Sequence, residues 1–148
     1  MSNNYIKTQL DSYSLIKCDA SINPSSDVLM LKFTGIYHPG SEGNGDGMFM
    51  LATTAAYCAI HEPASLIVDL LDLNYQWGNT ILKTLNYFWE QGKDDSEKEK
   101  QIVIVAQGVT RNALQQVQAN ALCGKRIFTE TLDQAKIQAE DAAKQYLE

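Results

Sequence analysis

Two continuous apolar runs constrain this chain more than anything else in it. ASLIVDLLDL at 64–73 and QIVIVAQ at 101–107 lack the polar alternation of a sheet that is wet on one face. Strands of this kind need apolar cover on both sides. In a chain of 148 residues the simplest cover is a set of helices packed on a mostly parallel sheet. A globule of this length buries roughly 70% of its unfolded surface, so a single domain over 1–148 is expected.

The remaining segments fit that plan. SYSLIKCDAS at 12–21 and VLMLKFTGIY at 28–37 read as an opening β-hairpin, joined by the turn-forming NPSSD. HPGSEGNGDG at 38–47 reads as a loop. MFMLATTAAYCAIH at 48–61 follows as a helix with Leu51, Ala55 and Cys58 or Ala59 on one face. From Asn79 onward Ile81, Leu82, Leu85, Phe88 and Trp89 fall on one stripe, which predicts an amphipathic helix ending near Gly92. Thr110 is placed to cap a helix over RNALQQVQANAL. RIFTETL supplies a last strand, and Thr131 with Gln134 forms a T-x-x-Q capping box for a final helix to about Leu147. The predicted order is ββαβαβαβα: an α/β fold with an opening hairpin and a mixed, mostly parallel sheet.

Charge and cysteine usage narrow the functional classes. The net charge of −6 repels phosphate backbones and anionic lipid and favours basic partners, so nucleic-acid binding is not expected. The charged stretch 90–101 mixes both signs and reads as a solvated loop. Cys18, Cys58 and Cys123 are odd in number and form no CxxC pair, which suits a reducing compartment. With no signal-like start and no apolar run long enough to span a bilayer, the expected location is the cytoplasm.

Several chemical motifs can be weighed and set aside. Gly35, Gly40, Gly43, Gly45 and Gly47 cluster before a helix, yet no Walker or dinucleotide spacing is present, and Glu42 and Asp46 would repel a phosphate. Read as a calcium loop, the segment from Glu42 has Thr53 where a bidentate glutamate belongs. His38 and His61, even with Cys58, do not complete a metal site, and no nucleophile signature surrounds Cys123. Asp69 and Asp72 face opposite sides of an extended strand, so Asp72 is expected to cap the strand or bind loop N–H groups. No catalytic residue, metal or cofactor is assigned.

The strand-to-helix corner DLLDLNYQWGNT at 69–80 carries the strongest functional signal. With its flanks, IVDLLDLNYQWGNTILKTL, it resembles the STAS domain of anti-anti-sigma factors and of the cytoplasmic tails of sulfate transporters, and in particular their small stand-alone bacterial relatives. The shared pattern is an apolar strand ending in Asp-Leu, a further apolar residue, and a tight turn into a helix. That resemblance implies a regulatory interaction module whose turn and following helix meet a protein partner. In the family the turn reads Asp-Ser-Ser-Gly, with the first serine phosphorylated. Here Trp77 stands at the acidic position, Gly78 at the phosphoacceptor, and Asn79 and Thr80 follow. The usual switch is therefore missing, and only Thr80 could take a phosphate at the helix start.

The candidate site is accordingly Tyr75, Trp77, Gly78, Asn79 and Thr80, joined by Tyr37 and His38 from the end of the second strand. Two orientations of Trp77 remain open: outward as a docking anchor, since Trp and Tyr are hot-spot residues, or inward as a plug over a permissive glycine. The leading expectation is a non-catalytic antagonist or immunity-type protein for a basic partner. The alternatives are a pocket for a nucleotide, acyl-CoA or lipid at the same corner, or a crotonase- or ClpP-like α/β unit. Self-association is left open.

Overall fold

The computed structural model describes residues 4–90, 99–119 and 126–148. Its sheet is mixed, with β1 (Lys17–Asn23) antiparallel to β2 (Val28–Ile36), and β3 (Ser65–Asp69), β5 (Gln101–Val105) and β6 (Arg126–Thr129) following in parallel in the order β1-β2-β3-β5-β6. A two-residue strand, β4 (Leu73–Asn74), pairs in parallel with the far end of β2. The helices are α1 (Asn44–His61), two short turns α2 (Leu82–Leu85) and α3 (Tyr87–Glu90), α4 (Gly108–Ala119) and α5 (Leu132–Leu147). The predicted α/β architecture with its opening hairpin is thus present, and every residue of β3 is buried at the sheet centre.

Because side chains alternate across a strand, each apolar run feeds two cores. Leu29, Leu31 and Phe33 of β2, Leu66 and Val68 of β3, and Ile102 and Ile104 of β5 form one core with Met50, Cys58, Ile81, Leu85 and Leu114. Val28, Ile67, Val103 and Val105 point the other way, onto Ala135, Ala139 and Ala143 of α5. Those three alanines recur every fourth residue and let the helix sit close to the sheet, close enough for the Ser65 hydroxyl to donate to the Ala139 carbonyl at 2.6 Å. Helix α5 starts as predicted: the Gln134 N–H donates to Thr131 Oγ1 at 3.2 Å. The Gln134 side chain reaches back one residue further than in a standard capping box, accepting from the Glu130 N–H at 3.3 Å.

Several boundaries differ from the sequence reading, each for a local reason. The first strand begins at Lys17 rather than near Ser12, because Leu10–Tyr13 winds into a 3-10 turn. The glycine stretch is largely helical: Gly40–Gly43 is a 3-10 turn and α1 starts at Asn44, four residues before Met48. Its buried face is set by Met50, Thr54 and Cys58, with Leu51 and Ala55 only half buried and Ala59 exposed. Thr110 lies inside α4 instead of capping it, and its hydroxyl donates to the Leu73 carbonyl at 3.0 Å. The stripe after Asn79 forms two short helical turns that break at Asn86 (φ −102°, ψ 15°). Trp89 stays nearly half exposed. Gly92 and Cys123 lie outside the described residues.

The run 64–73 is two strands. Asp69, buried at the end of β3, accepts the Leu71 N–H at 3.1 Å, and Leu73 N–H closes onto the Leu70 carbonyl at 3.1 Å, so the chain turns before β4. The role expected of Asp72 therefore belongs to Asp69. Asp72 pairs instead with Lys32 at 2.9 Å, an exposed ion pair of small energetic weight.

The close approach of α5 makes a measurable claim. Replacing Ala139 with Leu wedges a large side chain between helix and sheet, and urea denaturation should show a loss of about 1–3 kcal/mol.

Candidate functional site

The corner is assembled by β2 and β4 running side by side. Their pairing, Gly35 with Leu73 and Ile36 with Asn74, brings the next residues, Tyr37 and Tyr75, into contact. The Tyr37 N–H donates to the Asn74 carbonyl at 2.9 Å, and the Tyr37 and Tyr75 rings meet edge to face with centroids 5.1 Å apart. Tyr75 is 0% exposed, and its hydroxyl donates to the Gly78 carbonyl at 2.5 Å, closing the turn that follows. Gly78 has φ +139°, a region few L-residues enter, and a Cβ there would stand 3.2 Å from the Tyr37 ring. A side chain at this position would be strained.

Trp77 points outward, with 60% of its surface accessible, so the inward-plug reading does not hold. One edge of the indole still has a seat. At Gly40 (φ +65°) a Cβ would lie 2.7 Å from Trp77 Cη2, so the ring rests directly on bare backbone. Thr80 is half buried and its hydroxyl donates to Asn44 Oδ1 at 2.6 Å, while Gly47 in the first turn of α1 leaves room for its side chain. Asn79 is exposed, and its carbonyl accepts the Leu82 N–H at 3.0 Å to start the helical turns.

Beneath the corner sits a carboxylate that sequence reasoning treated as a loop charge and a calcium-loop position. Asp46 is 2% exposed. Its Oδ1 accepts the Ser14 hydroxyl at 2.6 Å, and its Oδ2 accepts the His38 backbone N–H at 2.8 Å and contacts His38 Nδ1 at 2.9 Å. Hydrogen bonds to an ionised acceptor contribute about 1.5–3 kcal/mol each, so Asp46 ties the N-terminal segment, the end of β2 and α1 together. The serine bonds the carboxylate rather than the imidazole, so these three residues are not a nucleophile–base relay. The His38 side chain is 42% exposed and presents its other edge to solvent.

The structure thus brings together all seven predicted residues but divides them. Trp77, Asn79 and part of His38 form surface; Tyr37, Tyr75 and Gly78 are buried and cannot touch a partner; Thr80 is intermediate. Sequence reasoning missed Gly40, Ser14 and the buried role of Asp46, none of which has a local signature, since their partners are set by tertiary packing. His61 stacks on Tyr57 (centroids 6.4 Å, interplanar angle 11°), and among the described residues no group of three or more His, Cys, Asp or Glu side chains could hold a metal.

Burial sets the ionisation of the apolar site and core. It raises the Tyr75 hydroxyl well above the ordinary tyrosine range, with Tyr37 nearby adding to the rise. It pushes Tyr37 up to about 12, opposed by the neighbouring Ile81 backbone and Thr80 hydroxyl, although Tyr37 Oη has no hydrogen-bond partner among the described residues. The Cys58 thiol rises to about 11, also by burial.

No protein-family model matches the sequence, and no curated protein matches it. Among solved structures the chain is similar to an anti-sigma factor antagonist from Mycobacterium paratuberculosis, with a TM-score of 0.61 and 21% identity, over 85% of this chain and 95% of that one. The fold is therefore STAS-like, as the corner motif implied.

Two outcomes follow from this geometry. Gly40→Ala must adopt a left-handed backbone and displace the indole. In a Trp89→Phe background, where Trp77 is the sole indole, its emission should shift, and stability should fall by about 1–2 kcal/mol. The raised acids have a definite sign as well: unfolded Tyr and Cys ionise first, so the unfolded state binds fewer protons. The stability these groups contribute is fully present well below pH ~8.5 and is lost from there toward pH ~12. Urea melts across that range check it, and Tyr75→Phe should decline less steeply.

Proposed function

We propose that this protein is a non-catalytic regulatory module that docks a protein partner through the corner centred on Trp77. The observation that carries the reading is the contrast at that corner. A large, mostly exposed indole stands on a base of buried tyrosines, constrained glycines and a fully engaged carboxylate. Presenting a rigid aromatic to solvent forgoes its own burial and lowers the ordering cost of binding, which is the profile of an interface anchor. Asn79 and the open edge of His38 complete the contact surface, while Tyr37, Tyr75 and Gly78 support it from below and Thr80 ties it to α1.

The similar solved structure is named an anti-sigma factor antagonist, which favours a regulatory antagonist over a toxin-neutralising role. The net charge of −6 favours a basic partner face. Gly78 carries no hydroxyl, and the Thr80 hydroxyl is committed to Asn44, so docking in this reading is not gated by a phosphate at the turn. No described helix is long and apolar enough to cross a membrane, in keeping with a cytoplasmic role.

The test is affinity capture from native lysate with wild-type protein, Trp77→Ala, and Trp89→Ala as a second exposed-tryptophan control. A partner retained by wild type and Trp89→Ala but weakened about thirtyfold or more by Trp77→Ala is the expected result. It should also weaken as salt rises from about 0.05 to 0.5 M. Equal capture by Trp77→Ala, with its melting temperature unchanged, would sink the docking role.

A further inference from the structure

On the opposite face of the sheet, away from the corner, the structure leaves a groove that none of the above uses. Helix α5 packs chiefly on β3 and β5 and only lightly on β2, so the outer part of the back face is not roofed. The register lines up Ser21, Met30 and Ile67 in one row across three strands, with Asn23 and Val28 in the next. Where those rows meet the side of α5 there is a half-open cavity of about 360 Å³, lined by Val28, Met30 and Ile67 below, Ser21 and Asn23 on one rim, and Lys136 and Glu140 on the other. That volume is within the range of small-molecule sites.

The helical rim carries two charges of opposite sign. Lys136 and Glu140 are one turn apart with opposite sign, a spacing at which such residues commonly pair. Here neither forms an ion pair with any described residue; Glu140 Oε1 has only a long contact from the Asn23 amide at 3.5 Å. A cation and an anion therefore stand separately at the mouth of an apolar cleft.

We propose that this groove binds a small zwitterion bearing an apolar side chain, the chemistry of a hydrophobic α-amino acid. Its carboxylate meets Lys136, its ammonium meets Glu140 with the Ser21 hydroxyl on the facing rim, and its side chain lies on Val28, Met30 and Ile67. A fatty acid would place its single negative group beside Glu140 with no counterpart for that carboxylate. A nucleotide would bring several negative charges to one lysine. Of these three, the zwitterion is the one that satisfies both rim charges and the apolar floor. The proposal does not depend on docking at Trp77.

The probe is L-leucine or L-methionine titrated into the intact chain and followed by two-dimensional amide NMR. Saturable shifts centred on Met30, Ile67 and Lys136, in the millimolar range or tighter, are expected. Lys136→Ala and Glu140→Ala should each weaken binding about five- to tenfold, and Trp77→Ala should leave it unchanged. Both rim residues are exposed, so melting curves should match wild type. Equal binding of octanoate and L-leucine, insensitivity to Glu140→Ala, shifts mapping elsewhere, or no saturation by about 20 mM would each overturn the assignment.

Discussion

The structure depends on one edge of one strand serving two partners. β2 pairs in parallel with β3 along Val28–Lys32 and then, past its middle, with β4 at Gly35 and Ile36. That handover is possible because the chain breaks its own extended run between Asp69 and Leu73, with a buried carboxylate and a tight turn taking up the backbone groups that the sheet releases. Everything at the corner follows from it. Tyr37 and Tyr75 become neighbours, Gly78 is held by the Tyr75 hydroxyl, and the segment carrying Trp77 is set across Gly40.

Polar groups are used sparingly beneath the corner. Asp46 accepts from the Ser14 hydroxyl and the His38 N–H and also contacts the His38 ring, which turns a glycine-rich stretch with high conformational freedom into a defined turn and helix start. A buried carboxylate without those donors would cost several kcal/mol, so the same residue that looks like a surface charge in sequence becomes a fastener. The two faces of the sheet show a similar economy. One is roofed by α1, α2 and α4; among the described residues the other is covered by α5, with an alanine ridge that fits closely over β3 and β5 and leaves the outer strand β1 largely exposed.

The parts of the fold that were readable share a physical basis. Continuous apolar runs, the Pro/Ser-rich turn after β1 and the Thr131 cap are local signals, and each element they predicted is present near its expected place. The errors lie where local and tertiary preferences differ. The glycines at 40–47 suggested a loop, yet Asp46 recruits them into helical turns; the 64–73 run looked like one strand because nothing apolar marks a break; Thr110 reads as a cap but is used to hold β4. Of the candidate site, the corner was legible from its motif, whereas the division into exposed Trp77 and buried Tyr75 was not, since both are aromatic residues two positions apart.

By itself, then, the sequence determined the class of fold, the central position of the 65–69 and 101–105 strands, and the absence of a hydroxyl at Gly78, because these depend on residue identity and short-range periodicity. Tertiary structure decided which aromatic faces water, which carboxylate is buried, and where the sheet remains open beside α5. Those outcomes depend on contacts between segments such as Ser14 and Asp46, or Gly40 and Trp77, that lie tens of residues apart and leave no pattern in the sequence between them.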